Sequence, residues 1–193
     1  MIAYTAMVGN YPARTDVHCF GNEGVYQRPV MEAKRYKILS HLFFPREDVT
    51  VWLDANIRLK VDVREAVETL LGDADMAVFK HPYRDNVWQE FATLKDDPRF
   101  AIPYLQDQLH AQAYQYAAEE LPATWPLYEC NVLIRRNNER VNRFNEAWWA
   151  QICRWQWRDQ VSFPYVLWKN FVDVRAITPN AREHEFFDYV SQY

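Results

Sequence analysis

At 193 residues, with 49% hydrophobic and 16% aromatic side chains, the chain suits one folded domain over residues 1–193 with a sizeable core, and argues against a disordered tail or separate linker. A formal net charge of −4 argues against a broad basic surface for nucleic acid. Three widely spaced cysteines, Cys19, Cys130 and Cys153, indicate neither a disulfide framework nor a structural zinc site and fit a reducing compartment.

In chain order, Ile2 to Val8 reads as a first strand, broken by the Gly9-Asn10-Tyr11-Pro12 turn, with a short second strand from Val17 to Phe20 and a loop from Gly21 to Pro29. Apolar positions at Met31, Ile38 and Leu42 with Lys34, Arg35 and Lys37 between them predict an amphipathic helix over 30–44, stopped by Pro45. A strand from Val49 to Asp54, a helix over 63–71 ending at Gly72 and a strand from Met76 to Lys80 follow. Helices are expected over 86–94 and 103–121, a strand over 127–134, a helix from Glu139 to about Trp155, another starting near Arg158, and a last strand over 171–177 before a polar tail. Alternating strands and helices predict an α/β domain with a mostly parallel central sheet flanked by helices. Four glycines provide neither a G-x-G-x-x-G nor a Walker loop, against a dehydrogenase or P-loop NTPase. The N-terminus lacks a secretory-signal pattern and no apolar run reaches membrane-spanning length, so a soluble, cytoplasmic protein without membrane insertion is expected.

The segment Val49-Thr-Val-Trp-Leu-Asp54-Ala-Asn56 stops an apolar run on an acid, with a second metal-capable oxygen two positions on. A buried parallel strand would deliver Asp54 to the carboxyl edge of the sheet, where ligands of open α/β folds collect. If the segment stays extended, Asp54 and Asn56 point the same way and can grip a hard cation together with the diphosphate it neutralises. A strand-end acid followed by a turn asparagine is the plainer alternative.

Other clusters admit both chemical and structural readings. Lys80-His81-Pro82-Tyr83-Arg84, with Glu90 after it, follows a strand and supplies donors for phosphate or sugar hydroxyls, or else is a solvated loop. Lys34, Lys37 and His41 share a helix face that binds an anion or simply meets solvent. Glu129, in a strand otherwise fit for burial, either pairs with a cation such as Arg135 or Arg158 or faces a cleft. Arg158-Asp159-Gln160 opens a helix; the dipole accounts for Asp159 but not for Gln160. His184, near the C-terminus, is either surface filler or the imidazole that completes an oxygen-rich Mn²⁺ site.

Taken together, Tyr4-Thr5-Ala6-x-x-Gly9-Asn10-Tyr11, Lys34-x-x-Lys37-x-x-x-His41, Trp52-Leu-Asp54-Ala-Asn56, His81-Pro-x-Arg84 with Glu90, Glu129-x-x-x-Leu133-Ile-Arg135, Trp148-Trp149 and Arg158-Asp159-Gln160-x-Ser162-Phe163 resemble a glycosyltransferase-like family first catalogued as a domain of unknown function. That family has plant members linked to mucilage and turgor and short bacterial and phage members. The resemblance runs from about Ile2 to Leu167 and implies a GT-A-type (Rossmann-like) fold, a UDP- or GDP-sugar donor and a divalent metal, Mn²⁺ or Mg²⁺. Asn56 stands at the second place of the usual Asp-x-Asp, and Gly21-Asn22 where the family's second strand runs into Thr-Asp. The Asp159-Gln160 pair is also similar to the Asp-Gln helix of glycogenin-like retaining transferases.

The resemblance implies a metal on Asp54, Asn56 and His184, and donor contacts from Tyr4, Thr5, Lys34, Lys37, His41, His81, Arg84 and Arg158. Asp159, Gln160 and Glu129 face the sugar as catalytic groups, with retention suggested by the Asp-Gln analogy. The acceptor hydroxyl belongs to a glycan, a protein or a modified DNA base. A non-catalytic module that binds a nucleotide sugar or glycan is the alternative, and a glycosidase using Glu129 and Asp159 ranks below both.

Overall fold

The computed structural model describes residues 1–190 except Glu23 and Gln27. Its main sheet has six strands in the order β2(His18–Phe20)-β1(Ile2–Ala6)-β3(Val49–Leu53)-β6(Tyr128–Arg136)-β5(Met76–Lys80)-β7(Val174–Ile177). All run parallel except β6, which lies antiparallel between β3 and β5. The mostly parallel α/β architecture expected from the sequence is therefore present.

All five residues of β3, Val-Thr-Val-Trp-Leu, are buried, because apolar layers cover both faces of the sheet. Strand alternation divides them: Trp52 joins Tyr4, Val78, Leu133 and Trp148 on one side, while Val51 and Leu53 join Phe79, Ile134 and Leu70 on the other. The helices are α1(Pro29–Ile38), α2(Ser40–Phe43), α3(Val63–Leu70), α4(Val87–Leu94), α5(Pro103–Ala118), α6(Glu139–Arg154) and α7(Asp159–Lys169), with a 3-10 turn at Pro98–Phe100. Asp62, Asn86 and Asn138 cap α3, α4 and α6 by accepting a backbone N–H in the first turn. No helix among the described residues is long and apolar enough to cross a membrane.

Three differences from the sequence expectation matter. The single helix expected over 30–44 is two, parted at Leu39. The buried Arg135 guanidinium donates to the carbonyls of Lys37 and Ile38 at 2.6 and 3.1 Å, and Tyr4 Oη donates to Lys37 at 3.1 Å, satisfying the helix end from across the core. The stretch expected as a polar tail contains β8(Phe187–Tyr189), which pairs antiparallel with β4(Ile57–Leu59) in a small second sheet. Asp54 and Asn56 do not continue an extended strand: Ile57 N donates to Asp54 O at 2.8 Å, closing a turn between β3 and β4.

Because β6 runs backwards, its N-terminal end lies at the carboxyl edge of β3 and β5. Its pairing with β5 also slips, from Val78 opposite Leu133 to Phe79 opposite Glu129. The slip loosens Cys130 and Asn131 from the regular ladder at the edge that carries Asp54 and His81.

Candidate active site

Two adjoining cavities open at this edge. One, of about 530 Å³, is walled by Ala6, Met7, Val8, Tyr11, Val30 and Trp52 among others. The second, about 230 Å³, is walled by charged and polar groups including His81, Arg84, Glu129, Asn131, Arg158 and Gln160. Lys34, Lys37, Asp54, Asn56 and Tyr189 line both, so they form the junction.

The junction is an ion cluster. Asp159 Oδ2 lies 2.6 Å from both Lys34 Nζ and Lys37 Nζ, and Lys37 Nζ also donates to Asp54 Oδ1 at 3.0 Å. Trp52 Nε1 donates to the same Asp54 oxygen at 2.7 Å. Burial alone would raise the Asp159 carboxyl, but the two ammonium groups override it and hold it far below the ordinary carboxylate range. Burial also opposes the charge of Lys37, yet Asp159 and Asp54 outweigh it and raise its pKa. Lys34 pairs with Asp159 alone and is repelled by Lys37, so burial leaves its pKa lowered.

The polar cavity presents acceptors in want of donors. Glu129 Oε2, Asn131 Oδ1 and Gln160 Oε1 are buried side-chain oxygens with no hydrogen-bond partner among the described residues. Such groups cost on the order of 1–3 kcal/mol each unless something donates to them. Glu129 pairs with neither of its expected cations: Arg135 is taken up by Tyr4, Asn145 and the α1 carbonyls, and Arg158 by Glu90. Burial raises its pKa, with Arg182 acting in the opposite sense. Gln160 N donates to Asp159 Oδ1 at 3.1 Å, so the helix start fixes both residues of the pair.

On the far wall, the fully buried Glu90 holds two arginines: Oε2 lies 2.6 Å from Arg84 Nε and Oε1 accepts from Arg158 Nε at 2.8 Å. His81 Nδ1 accepts the backbone N–H groups of Tyr83 and Arg84 at 3.2 and 3.1 Å. Burial and then the Arg84 guanidinium push the imidazole down to about 4, so His81 is neutral at physiological pH.

The structure thus gathers Lys34, Lys37, Asp54, Asn56, His81, Arg84, Glu129, Arg158, Asp159 and Gln160 around the two cavities. Four expected residues stand apart. Tyr4 is fully buried, its hydroxyl bonded to Arg135 and the α1 backbone. Thr5 is equally buried, its hydroxyl spent on Leu53 O at 2.7 Å. His41 faces Asn145 and Glu146 behind α1 and lines neither cavity. His184 packs its ring on Phe79, Phe186 and Phe187, accepts from Phe186 N, and also lines neither cavity. None of the four lines either cavity, so this geometry lends no support to their expected donor or metal roles. Arg182 and Tyr189 were not singled out from sequence. They reach the site only because β8 returns beside β4, which no local pattern announces.

For a divalent cation, the donors on the wall are Asp54 Oδ2, the carboxylate oxygen not engaged by Lys37 and Trp52, and the Asn56 amide. No group of three His, Cys, Asp or Glu that could hold a metal occurs among the described residues. One carboxylate oxygen and one amide fit a hard cation whose remaining ligands are waters and substrate phosphates, rather than an all-protein cage.

Among solved structures, the chain is similar to the apo WbbM bifunctional glycosyltransferase (13% identity, 83% of this chain and 28% of that one, TM-score 0.49). It is similar also to a glycosyltransferase involved in glycosylation of the major capsid of PBCV-1 (10% identity, 92% and 82%, TM-score 0.47). Two Arabidopsis thaliana proteins, Alkaline ceramidase TOD1 and Probable hexosyltransferase MUCI70, are each 26% identical over 152 residues, covering 75% and 74% of this chain. The match spans only 33% and 26% of their own lengths. The model of the TOD1/MUCI70 glycosyltransferase-like domain matches residues 19–187, and the chain belongs to that family.

Proposed function

We propose that this domain transfers a sugar from a nucleoside-diphosphate donor to an acceptor hydroxyl. One observation carries the reading: three acceptor oxygens unpartnered among the described residues converge on a polar chamber that meets an apolar one at two ammonium groups, Lys37 buried and Lys34 partly so. A nucleoside suits the apolar chamber, a diphosphate the lysine junction, and a hexose, with its many O–H donors, the polar chamber.

As the glycosidic bond breaks, negative charge grows on the departing phosphate and positive charge on the sugar. Lys34 and Lys37 stabilise the first, and Asp159 and Gln160 face the second. A divalent ion on Asp54 and Asn56 would add Lewis-acid stabilisation of the leaving group. Glu129, whose pKa burial raises above the ordinary carboxylate value, is the carboxyl suited to exchange a proton with the acceptor hydroxyl. Retention remains our preference, on the Asp159-Gln160 pairing alone.

Thermal unfolding in the presence of UDP, GDP and their sugars, with and without Mn²⁺, tests the proposal, since a ligand bound only to the native state raises its stability. A nucleoside diphosphate is expected to give a Mn²⁺-dependent shift that Asp54→Ala abolishes. A metal-independent shift surviving that substitution would remove the metal from the proposal. Slow donor hydrolysis marks an enzyme, and its complete absence at every metal concentration marks a binding module. Ceramide serves as the control suggested by the name of one relative.

A further inference from the structure

The polar chamber holds more positive charge than a neutral sugar would use. Arg84, Arg158 and Arg182 line it, and these three, with His81, Pro82 and Tyr83, line the polar chamber but not the apolar one. The Gln160, Asn131 and Glu129 oxygens already suffice for sugar hydroxyls. The one buried carboxylate between Arg84 and Arg158, Glu90, offsets only one of their two charges, and a neutral ligand would offset none of the other.

Glu90 fixes their geometry. It sits on α4, is fully buried, accepts a hydrogen bond from Arg158 Nε through Oε1 and forms an ion pair with Arg84 Nε through Oε2, leaving the terminal nitrogens of both arginines free of it. The three groups carry a net charge of +1. Arg84 Nη2 is further placed 3.1 Å from His81 Nε2. Since His81 Nδ1 accepts two backbone N–H groups, the neutral ring carries its proton on Nε2, and that nitrogen cannot also accept from Arg84. A donor therefore faces a donor, and among the described residues Arg84 Nη2 has no acceptor, which an incoming oxyanion would supply.

We infer that Arg84 and Arg158, positioned by Glu90, form an oxyanion subsite for a carboxylate or phosphate ester carried by the transferred sugar or by the acceptor, separate from the diphosphate subsite at Lys34 and Lys37. The inference rests on the donor reading above. Paired guanidiniums give charge-assisted, forked hydrogen bonds to such a group, and each bond to a charged partner is worth about 1.5–3 kcal/mol, or roughly 10- to 150-fold in affinity.

Isothermal titration of the full chain distinguishes the sources. In the donor arm, UDP-glucose is compared with UDP-glucuronic acid. In the acceptor arm, glucose is compared with glucuronate and glucose 6-phosphate, with UDP present. The charged member of one arm is expected to bind at least about tenfold more tightly, with the preference lost in Arg84→Gln and Arg158→Gln and partly kept in Arg84→Lys, while UDP affinity changes less than about twofold. Glu90→Gln should weaken the same preference if the protein remains folded by circular dichroism. Equal binding of charged and neutral sugars in both arms would overturn the inference. So would a loss of UDP affinity in both glutamine variants as large as the loss of preference, which would assign the arginines to the diphosphate. If UDP and GDP fail to bind the unmodified protein, the donor reading falls, whereas an Arg84-dependent preference for glucose 6-phosphate or glucuronate would still uphold the subsite.

Discussion

Two buried carboxyls at the site are pushed in opposite directions, and the difference assigns them different work. Asp159, between Lys34 and Lys37, has a folded pKa below its unfolded one. Its contribution to stability is thus fully present above the ordinary carboxylate range and fades only as pH falls through that range and below. It stays an anion under all working conditions and cannot shape a pH profile there. Glu129 is shifted above its ordinary value of 4.5 by burial, so folding favours its protonated form, and its stabilising effect at low pH is lost as pH rises through the folded value. Ionisation of Glu129 therefore falls closer to neutrality. The expected outcome is an acid limb in the rate of sugar transfer or donor hydrolysis that titrates above 4.5 and disappears in Glu129→Gln along with most of the rate. A limb unchanged in that variant would assign the proton transfer to another group. Glu129 stood out in the sequence because it interrupts an apolar strand and Gln160 because the helix dipole does not account for it, whereas Asp159 fits a first helical turn and drew notice only through its pairing with Gln160. The place of Tyr4, Thr5 and His41 was not legible, since a residue's motif position does not reveal which way its polar atom turns.

At the level of elements, the site depends on how α7 is moored. Pro164 lies inside this helix and has no N–H to give the carbonyl of Gln160, which is thereby left out of the helical ladder. The first turn needs another anchor, and Trp148 of α6 supplies it. Its fully buried Nε1 donates to Ser162 Oγ at 3.1 Å and lies 3.3 Å from Asp159 O. Trp148→Phe keeps most of the apolar bulk and removes the donor. It is expected to cost about 1–3 kcal/mol in urea denaturation and to lower turnover through a displaced Asp159 more than it weakens nucleotide binding. The strong strand and helix patterns, such as Val49–Leu53 and the capped α3, were readable because each satisfies itself locally. The break at Leu39 was not, because its cause is a guanidinium contributed by residue 135.

For the molecule as a whole, the sheet edge becomes an enclosed site only when the chain's last described strand returns to it. β8 pairs with β4 just beyond the Asp54–Asn56 turn, and Val190 N donates to Asn56 O at 2.9 Å. β4 and β8 are three residues long, and β8, Phe-Asp-Tyr, sits in a stretch whose polarity reads as a tail, so this clasp was missed although the central sheet was not. The clasp divides its work between two neighbouring aromatics. Phe187, 2% exposed, packs on Phe79 with centroids 5.6 Å apart and holds the clasp to the core. Tyr189, 42% exposed, lines both cavities and receives the Arg182 guanidinium 4.4 Å over its ring. Phe187→Ala should therefore lower global stability by about 3–5 kcal/mol, as expected for a buried phenylalanine. Tyr189→Ala should leave the melting temperature of the free protein nearly unchanged while reducing the shift produced by a nucleoside diphosphate, because only the ligand-facing side of the clasp is lost. Equal destabilisation by the two substitutions would mean that the returning strand is structural throughout and that the junction is closed by other residues.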